Sequence, residues 1–185
     1  MTKMETLIDL ATKENIVVLY RPLKENSNGK MLGLYIWDTV APCILLEETL
    51  QNNRRLHVCV LGEELGHHFN GIRKNFMVTS TYQDRITVGK DETGALRWAT
   101  DFLIPDADLV YAVSELKLHS CWELAEHFEV TQPFMWRKLG FLRTCFRYTG
   151  IKVRSRDIFS VKQTPCNANM KNNYRHHGDD NTRSY

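Results

Sequence analysis

The stretch RRLHVCVLGEELGHHFNG, residues 54–71, decides how this sequence of 185 residues is interpreted. Residues 56–61 are apolar apart from His57, which is typical of a helix that is buried nearly all round. Two carboxylates, Glu63 and Glu64, and two imidazoles follow at once. Because a buried carboxylate is costly without a partner, the helix must meet a cation here, hold protonated carboxylates, or open into a cleft.

The spacing of these groups predicts a metal site. Residues four positions apart share one face of a helix, which pairs Glu63 with His67. Two ligands at this spacing can hold one zinc ion, as in the HExxH motif, where the glutamate after the first ligand is the general base. Glu63 then replaces the first histidine, and its carboxylate is a harder ligand that favours another metal or weaker zinc binding.

Two alternatives to this alignment with the HExxH motif, in which Glu63 and His67 are the ligands, stay open. A shifted frame would make Glu64 and His68 the ligands, but it places Leu65 at the position of the base. The other alternative is a helix end whose charges are solvated and bind nothing. Gly62 and Gly66 favour a site over a bare helix end, because a stripe without side chains admits the close approach of another backbone.

A second helical pattern follows at residues 92–103 and ends before Pro105. With this pattern beside the first, the chain resembles the ImmA/IrrE family of metallopeptidases, whose members combine an HExxH helix with a helix of the form ExxAxxxA…LxxP. The residues that fit the second form are Glu92, Ala95, Trp98, Ala99, Leu103 and Pro105. The resemblance covers about residues 4–146, and its Glu-Glu-Leu-Gly-His variant resembles phage and Firmicutes-type sequences.

The resemblance implies a role for each site residue. Glu64 would be the base that deprotonates water. His67 and Glu92 would be metal ligands, and Glu63 would occupy the first ligand position. The implied metal is Zn²⁺, with another divalent metal open because of Glu63. The implied activity is that of a metallo-endopeptidase, and the implied substrate is a DNA-binding repressor of the phage or mobile-element type, cut to derepress transcription.

The hydrophobic patterns along the chain predict an α+β fold. We expect a small, mostly antiparallel sheet of three or four strands beside a buried, zincin-like metal-site helix, followed by a helical C-terminal unit. Strands are predicted at 16–20, 31–37 and 43–46, helices at 4–11, 50–69 and 92–103, a loop or hairpin at 73–90, and helices from 106 to 146. The predicted units are a metallopeptidase-like domain at 1–110, a helical unit at 111–160 and a polar, disordered tail at 161–185.

Residues 120–139 have the spacing of a helix-turn-helix, with Thr131 as the cap of the second helix and Glu129 where a turn glycine is common. The rival function is therefore a DNA-binding regulator. Residues 131–136 offer few donors for base edges, so we interpret the unit mainly as a wall of the substrate groove. A third possibility is a protein that keeps the fold, has lost the chemistry and binds a repressor without cutting it.

Charge and composition limit the remaining classes of protein. The net charge of +2 excludes a uniformly basic coat for nucleic acid, although residues 137–162 alone carry +7. Five cysteines without CxxC spacing argue against a disulfide framework and a zinc ribbon. We find no secretory signal and no apolar run long enough for a membrane, and expect a cytoplasmic protein.

Other polar residues are predicted to have structural roles. His57 is expected in a cap or polar cluster, and Tyr35 in the core. His119 and His127 are expected on helix surfaces.

Overall fold

The computed structural model of the protein describes residues 1–27, 31–70 and 82–149. Its elements in chain order are α1 (Lys3–Lys13), β1 (Val17–Arg21), α2 (Leu23–Asn26), β2 (Gly33–Ile36), β3 (Cys43–Glu47), α3 (Arg54–Phe69), α4 (Tyr82–Leu103), α5 (Asp106–Ser114), α6 (Cys121–His127) and α7 (Gln132–Thr149). The predicted α+β class is confirmed, and the three strands lie where they were expected. The predicted tail lies outside the described residues. None of the described helices combines the length and the apolarity needed to cross a bilayer.

The three strands form one sheet in the order β1-β3-β2. β1 runs parallel to β3 with Val17 opposite Cys43, and β2 runs antiparallel to β3 with Gly33 opposite Leu46. The sheet is therefore mixed, and the prediction of a mostly antiparallel sheet is wrong. Since the chain crosses from β1 through α2 and β2 before β3 enters between them, turn signals between successive strands do not reveal the parallel pair.

The helix that carries the motif begins later than the predicted residue 50. Residues Glu48–Asn52 form a 3-10 helix, and α3 starts only after Asn53. The side chain of Asn53 accepts a hydrogen bond of 3.2 Å from the Leu56 N–H, as a helix N-cap does. Residues 57–62 and 64–66 are buried, so the predicted buried helix is confirmed.

α4 lies against α3 along the face of α3 that carries Gly62 and Gly66, the glycine stripe. A Cβ atom on Gly66 would collide with the carbonyl oxygen of Ala95 and lie 3.0 Å from its Cα atom. A Cβ atom on Gly62 would lie 3.0 Å from Leu103 Cδ1 and 3.7 Å from Ala99 Cβ. The close backbone approach that the two glycines predicted is therefore confirmed, and it is tightest beside Gly66.

The prediction of a loop or hairpin at residues 73–90 is wrong for residues 82–90, which are the first turns of α4. Residues 71–81 lie outside the described part of the chain. β-Branched residues suggested a strand here, but strand preference is a weak signal that neighbouring structure overrides. The helix anchored on α3 continues through them instead.

Lys138 attaches α7 to the preceding helices. Its side chain is completely buried, and its ammonium group donates to Asp101 Oδ1 at 2.6 Å and also to Asp106. Both carboxylates are more than half exposed, but the ammonium group is enclosed and would be left as a buried charge without them, so this contact holds α7 against α4 and α5. Lys138 is therefore not a free charge of the basic stretch at residues 137–162.

Lys3 joins the beginning of the chain to two helix ends. Its Nζ atom donates to the carbonyl oxygens of Leu103 at 2.7 Å and Phe128 at 2.6 Å. These carbonyls lie at the ends of α4 and α6, where backbone acceptors lack partners within their own helix. α1 thus contacts both the α+β part and the C-terminal helices.

α6 and α7 are separate helices joined by residues 128–131, as the sequence predicted. Glu129 adopts a φ of 50°, the left-handed conformation for which glycine is the usual residue. Thr131 Oγ1 accepts a hydrogen bond of 3.4 Å from the Phe134 N–H, as expected for the predicted cap. Whether this pair acts as a helix-turn-helix, and whether the chain divides near residue 110, stay predictions.

We expect Gly66→Ala to lower the free energy of unfolding by about 1–3 kcal/mol, because the obstacle is the Ala95 backbone, which cannot rotate away. Gly62→Ala is the matched control. There the nearest obstacle is the flexible Leu103 side chain, and alanine gains about 1 kcal/mol of helix propensity. Urea unfolding of both variants measures the difference, and equal losses would contradict the backbone contact.

Candidate metal centre

The predicted site residues lie on two helices in contact. One turn of α3 carries Glu63, Glu64 and His67, and α4 carries Glu92. The His67 Nε2 atom lies 3.6 Å from Glu92 Oε2. The glycine stripe allows this contact, since Gly66 directly precedes His67 and Ala95 lies one turn after Glu92. The structure thus brings together the ligand predicted on each helix.

Charges on α4 and α7 both act on Glu63. Burial, followed by the charge of Glu92, raises the pKa of Glu63 to about 7, while the charge of Arg137 opposes this rise. One turn earlier on α3, Cys59 Sγ accepts a hydrogen bond of 3.4 Å from the Thr131 N–H. The residue that precedes α7 therefore contacts this face of α3, and α7 is close enough for the charge of its Arg137 to act on Glu63.

Glu64 points towards the sheet and lies across Gly33 of β2. A Cβ atom on Gly33 would be 2.8 Å from both Cγ and Cδ of Glu64, so only glycine leaves room for this carboxylate. The backbone N–H of Tyr35 donates a hydrogen bond to it. Burial, followed by the charges of Glu63 and Glu92, nevertheless raises the pKa of Glu64 to about 8.

This set of donors fits a divalent cation in its chemistry. The charge of Glu92 raises the pKa values of Glu63 and Glu64, and the charge of Glu63 raises that of Glu64 further, a cost that a cation would relieve. Burial lowers the pKa of His67, which favours the neutral imidazole that a metal needs. Within the described ranges, no three His, Cys, Asp or Glu side chains form a complete metal-binding group. The His67–Glu92 contact is the part of the set already formed.

His68 lies in a different environment from His67. Its Nδ1 atom is 2.9 Å from the Tyr35 hydroxyl, and its Nε2 atom is 3.5 Å from Glu14 Oε2. Both ring nitrogens thus face groups of β2 and α1. The structure gives no support to the shifted frame, in which His68 would be a ligand.

Three of the four residues expected to have structural roles lie as predicted. His57 is buried and its Nε2 atom lies 3.0 Å from the Tyr20 hydroxyl, which forms the expected polar cluster. Tyr35 is buried in the core. His127 is exposed at the end of α6, as predicted, whereas His119 is exposed but lies between α5 and α6, so its predicted place on a helix surface is wrong. Among the described side chains, the free cysteines are Cys43, Cys59 and Cys121.

Sequence reasoning missed two residues of the site. Gly33 was used only as part of a strand, although it is the residue that makes room for Glu64. Arg137 was counted in a basic stretch, although its charge acts on Glu63. The signal for Gly33 was a glycine at the start of an otherwise apolar strand, which is a place where another group approaches closely.

Comparison with known proteins gives one family. The Peptidase M78 family model, the IrrE N-terminal-like domain, matches residues 11–139. This range contains Glu63, Glu64, His67 and Glu92 and ends within α7. No curated protein and no solved structure matches the chain.

The pKa values of Glu63 and Glu64 predict how the stability of the metal-free protein depends on pH. Both folded-state pKa values, about 7 and about 8, lie above the ordinary value of 4.5. At pH values between 4.5 and these raised pKa values, Glu63 and Glu64 keep their protons in the folded protein but lose them in the unfolded chain. The free energy of unfolding therefore falls as pH rises from about 4.5 to about 8, by about 1.4 kcal/mol per pH unit for each such proton.

Urea unfolding of chelator-treated protein between about pH 5 and pH 8.5 measures this slope. The double variant Glu63→Gln, Glu64→Gln should flatten it, because neither amide titrates. The matched control is Glu25→Gln with Glu48→Gln, which removes two exposed carboxylates and should leave the slope as it is. An unchanged slope in the first pair would show that these carboxylates do not retain protons in the folded protein.

Proposed function

The chain belongs to the IrrE N-terminal-like family of M78 peptidases, and we propose that it is a zinc-dependent endopeptidase. The observation that carries this proposal is the position of Glu64, a buried carboxylate that lies over Gly33 and on which the charge of Glu92, the partner of His67, acts. Metal-assisted hydrolysis of a peptide requires a base and metal ligands. Two adjoining helices supply them here as the Glu64 carboxylate, the His67 imidazole and the Glu92 carboxylate.

We assign the metal to Glu63, His67 and Glu92. When bound, a divalent metal supplies Lewis acidity, which polarises a carbonyl group and lowers the pKa of water. We propose zinc because imidazole and carboxylate are both zinc ligands. Another divalent metal remains an alternative, because two of the three ligands are hard carboxylates. His67 supplies a neutral nitrogen, since burial lowers its pKa.

Glu64 is assigned as the general base. Its carboxylate accepts a proton from the attacking water and returns it to the leaving amine. The Tyr35 N–H and the open space over Gly33 hold the carboxylate in one orientation, which a base needs before its pKa matters.

The substrate we propose is a DNA-binding repressor of the phage or mobile-element type, cut in the cytoplasm. The exposed part of α7 supports a protein substrate. Trp136 is half exposed, and the charge of the exposed Arg137 next to it acts on Glu63. Aromatic and arginine side chains at the border of a site are typical anchors for a protein partner.

One observation favours a second candidate function, a protein that binds a repressor without cutting it. Glu63 stands where the motif has histidine. The DNA-binding alternative is weakened by Lys138, because this residue of the basic stretch is buried against Asp101 and Asp106.

Metal analysis tests the ligands. We expect about one zinc ion per chain after loading with zinc. His67→Ala and Glu92→Ala should weaken zinc binding by more than the roughly 10- to 100-fold that loss of a supporting residue costs. His119→Ala and Glu115→Ala remove an exposed imidazole and an exposed carboxylate elsewhere and serve as controls. Elemental analysis and competition with a chelator measure the effect, and a wild-type protein without metal after loading would refute the enzyme proposal.

Glu64→Gln should keep the metal and lose cleavage, because the amide still accepts the Tyr35 N–H but cannot accept a proton. We expect the cleavage rate to fall at least about 100-fold. Mass spectrometry of a purified phage repressor incubated with each variant measures this. Glu48→Gln, an exposed carboxylate outside the site, is the control. Cleavage at the wild-type rate by Glu64→Gln would show that another group is the base.

A further inference from the structure

Two matched tyrosine–histidine pairs join α3 to the sheet. At one end, Tyr20 of β1 and His57 make a hydrogen bond of 3.0 Å with their rings at 76°. At the other end, Tyr35 of β2 and His68 make a hydrogen bond of 2.9 Å with their rings at 78°. The two histidines lie about three helical turns apart on the same face of α3. The pairs are alike in chemistry and geometry, but only the second lies beside Glu64.

The backbone of Tyr35 points away from the sheet towards Glu64. The Glu47 N–H of β3 donates to the Leu32 carbonyl at 2.9 Å, which shows which residues of β2 face β3. Because backbone groups alternate along an antiparallel strand, Leu34 faces β3 and Tyr35 faces the side of β2 away from β3. The Tyr35 N–H is therefore free to donate to Glu64, as observed.

His68 is itself held in place on its other side. Its Nε2 atom lies 3.5 Å from Glu14 Oε2 at the end of α1, while its Nδ1 atom faces the Tyr35 hydroxyl. A proton on Nε2 directed at Glu14 leaves Nδ1 as the acceptor for the tyrosine O–H. The contacts from Glu14 to His68 and from His68 to Tyr35 thus connect α1, α3 and β2. They end at Tyr35, the strand residue whose N–H contacts Glu64.

We propose that Tyr35 and His68 are positioning residues for Glu64. Their side-chain hydrogen bond holds β2 against α3, so that the Tyr35 N–H stays on the Glu64 carboxylate and Gly33 stays beneath it. This inference rests on the proposed function, in which Glu64 is the base. A base must be held within a fraction of an ångström of its working position, which a second, supporting contact provides.

Hydrogen exchange at the residue 35 amide tests the proposal in the full-length protein by NMR, without substrate or metal. Tyr35→Phe should speed exchange there about tenfold, the factor for one hydrogen bond of ordinary net strength. Tyr20→Phe, the matched control, removes the same hydroxyl from the other pair and should change this amide less than about twofold. Urea unfolding of both variants corrects for the loss of global stability.

Two substitutions at His68 approach the same bond from its other side. His68→Asn keeps a hydrogen-bonding group for Tyr35 and should preserve the slow exchange, whereas His68→Leu should lose it. If Tyr35→Phe and Tyr20→Phe change the residue 35 amide equally, or if His68→Leu leaves it slow, the proposal is overturned. Because these measurements need neither zinc nor cleavage, their failure is distinct from a failure of the metal or peptidase assignments.

Discussion

The close contact between α3 and α4 is the constraint on which the candidate site depends. Gly66 lets the Ala95 backbone approach where any side chain would block it. This contact sets the separation of the two helices at the level of the site, and the His67 and Glu92 side chains meet across it. A helix pair at an ordinary separation would keep both side chains but would hold them apart. Gly66 therefore belongs to the site although it has no side chain to bind a metal or substrate.

The sheet contributes to the site through its edge. β2 is an outer strand of the described sheet. Its Gly33 has no side chain and so leaves room for the Glu64 carboxylate, and its Tyr35 N–H donates a hydrogen bond to that carboxylate. The carboxylate is thus fixed from two sides, by its helix and by the strand. A buried acid with an elevated pKa is costly to the fold, and such costs are commonly found at functional sites.

The features of the structure that could be predicted from the sequence are those that follow from the spacing of apolar residues within one helix or strand. The burial of α3 follows from a run of apolar residues, and the meeting of His67 with Glu92 follows from two helical patterns and a resemblance that relates them. The position of β3 between β1 and β2 depends on contacts between distant parts of the chain, which turn signals do not report. The burial of Lys138 against Asp101 and the position of Gly33 under Glu64 depend on such contacts as well. The assignment of individual ligands stays a prediction.

The two hydrogen bonds of Lys3 have a consequence for the order in which the chain is completed. Its acceptors, the carbonyls of Leu103 and Phe128, lie 100 and 125 residues further along the chain. During synthesis α1 leaves the ribosome before α4 and α6, so the Lys3 ammonium group stays in water until the end of α6 has been made. Contacts between such distant residues form slowly, since the intervening chain has to be ordered first. α1 can pack on β1 and α3 as soon as they are made, whereas its Lys3 reaches both of its acceptors only after α6 has formed.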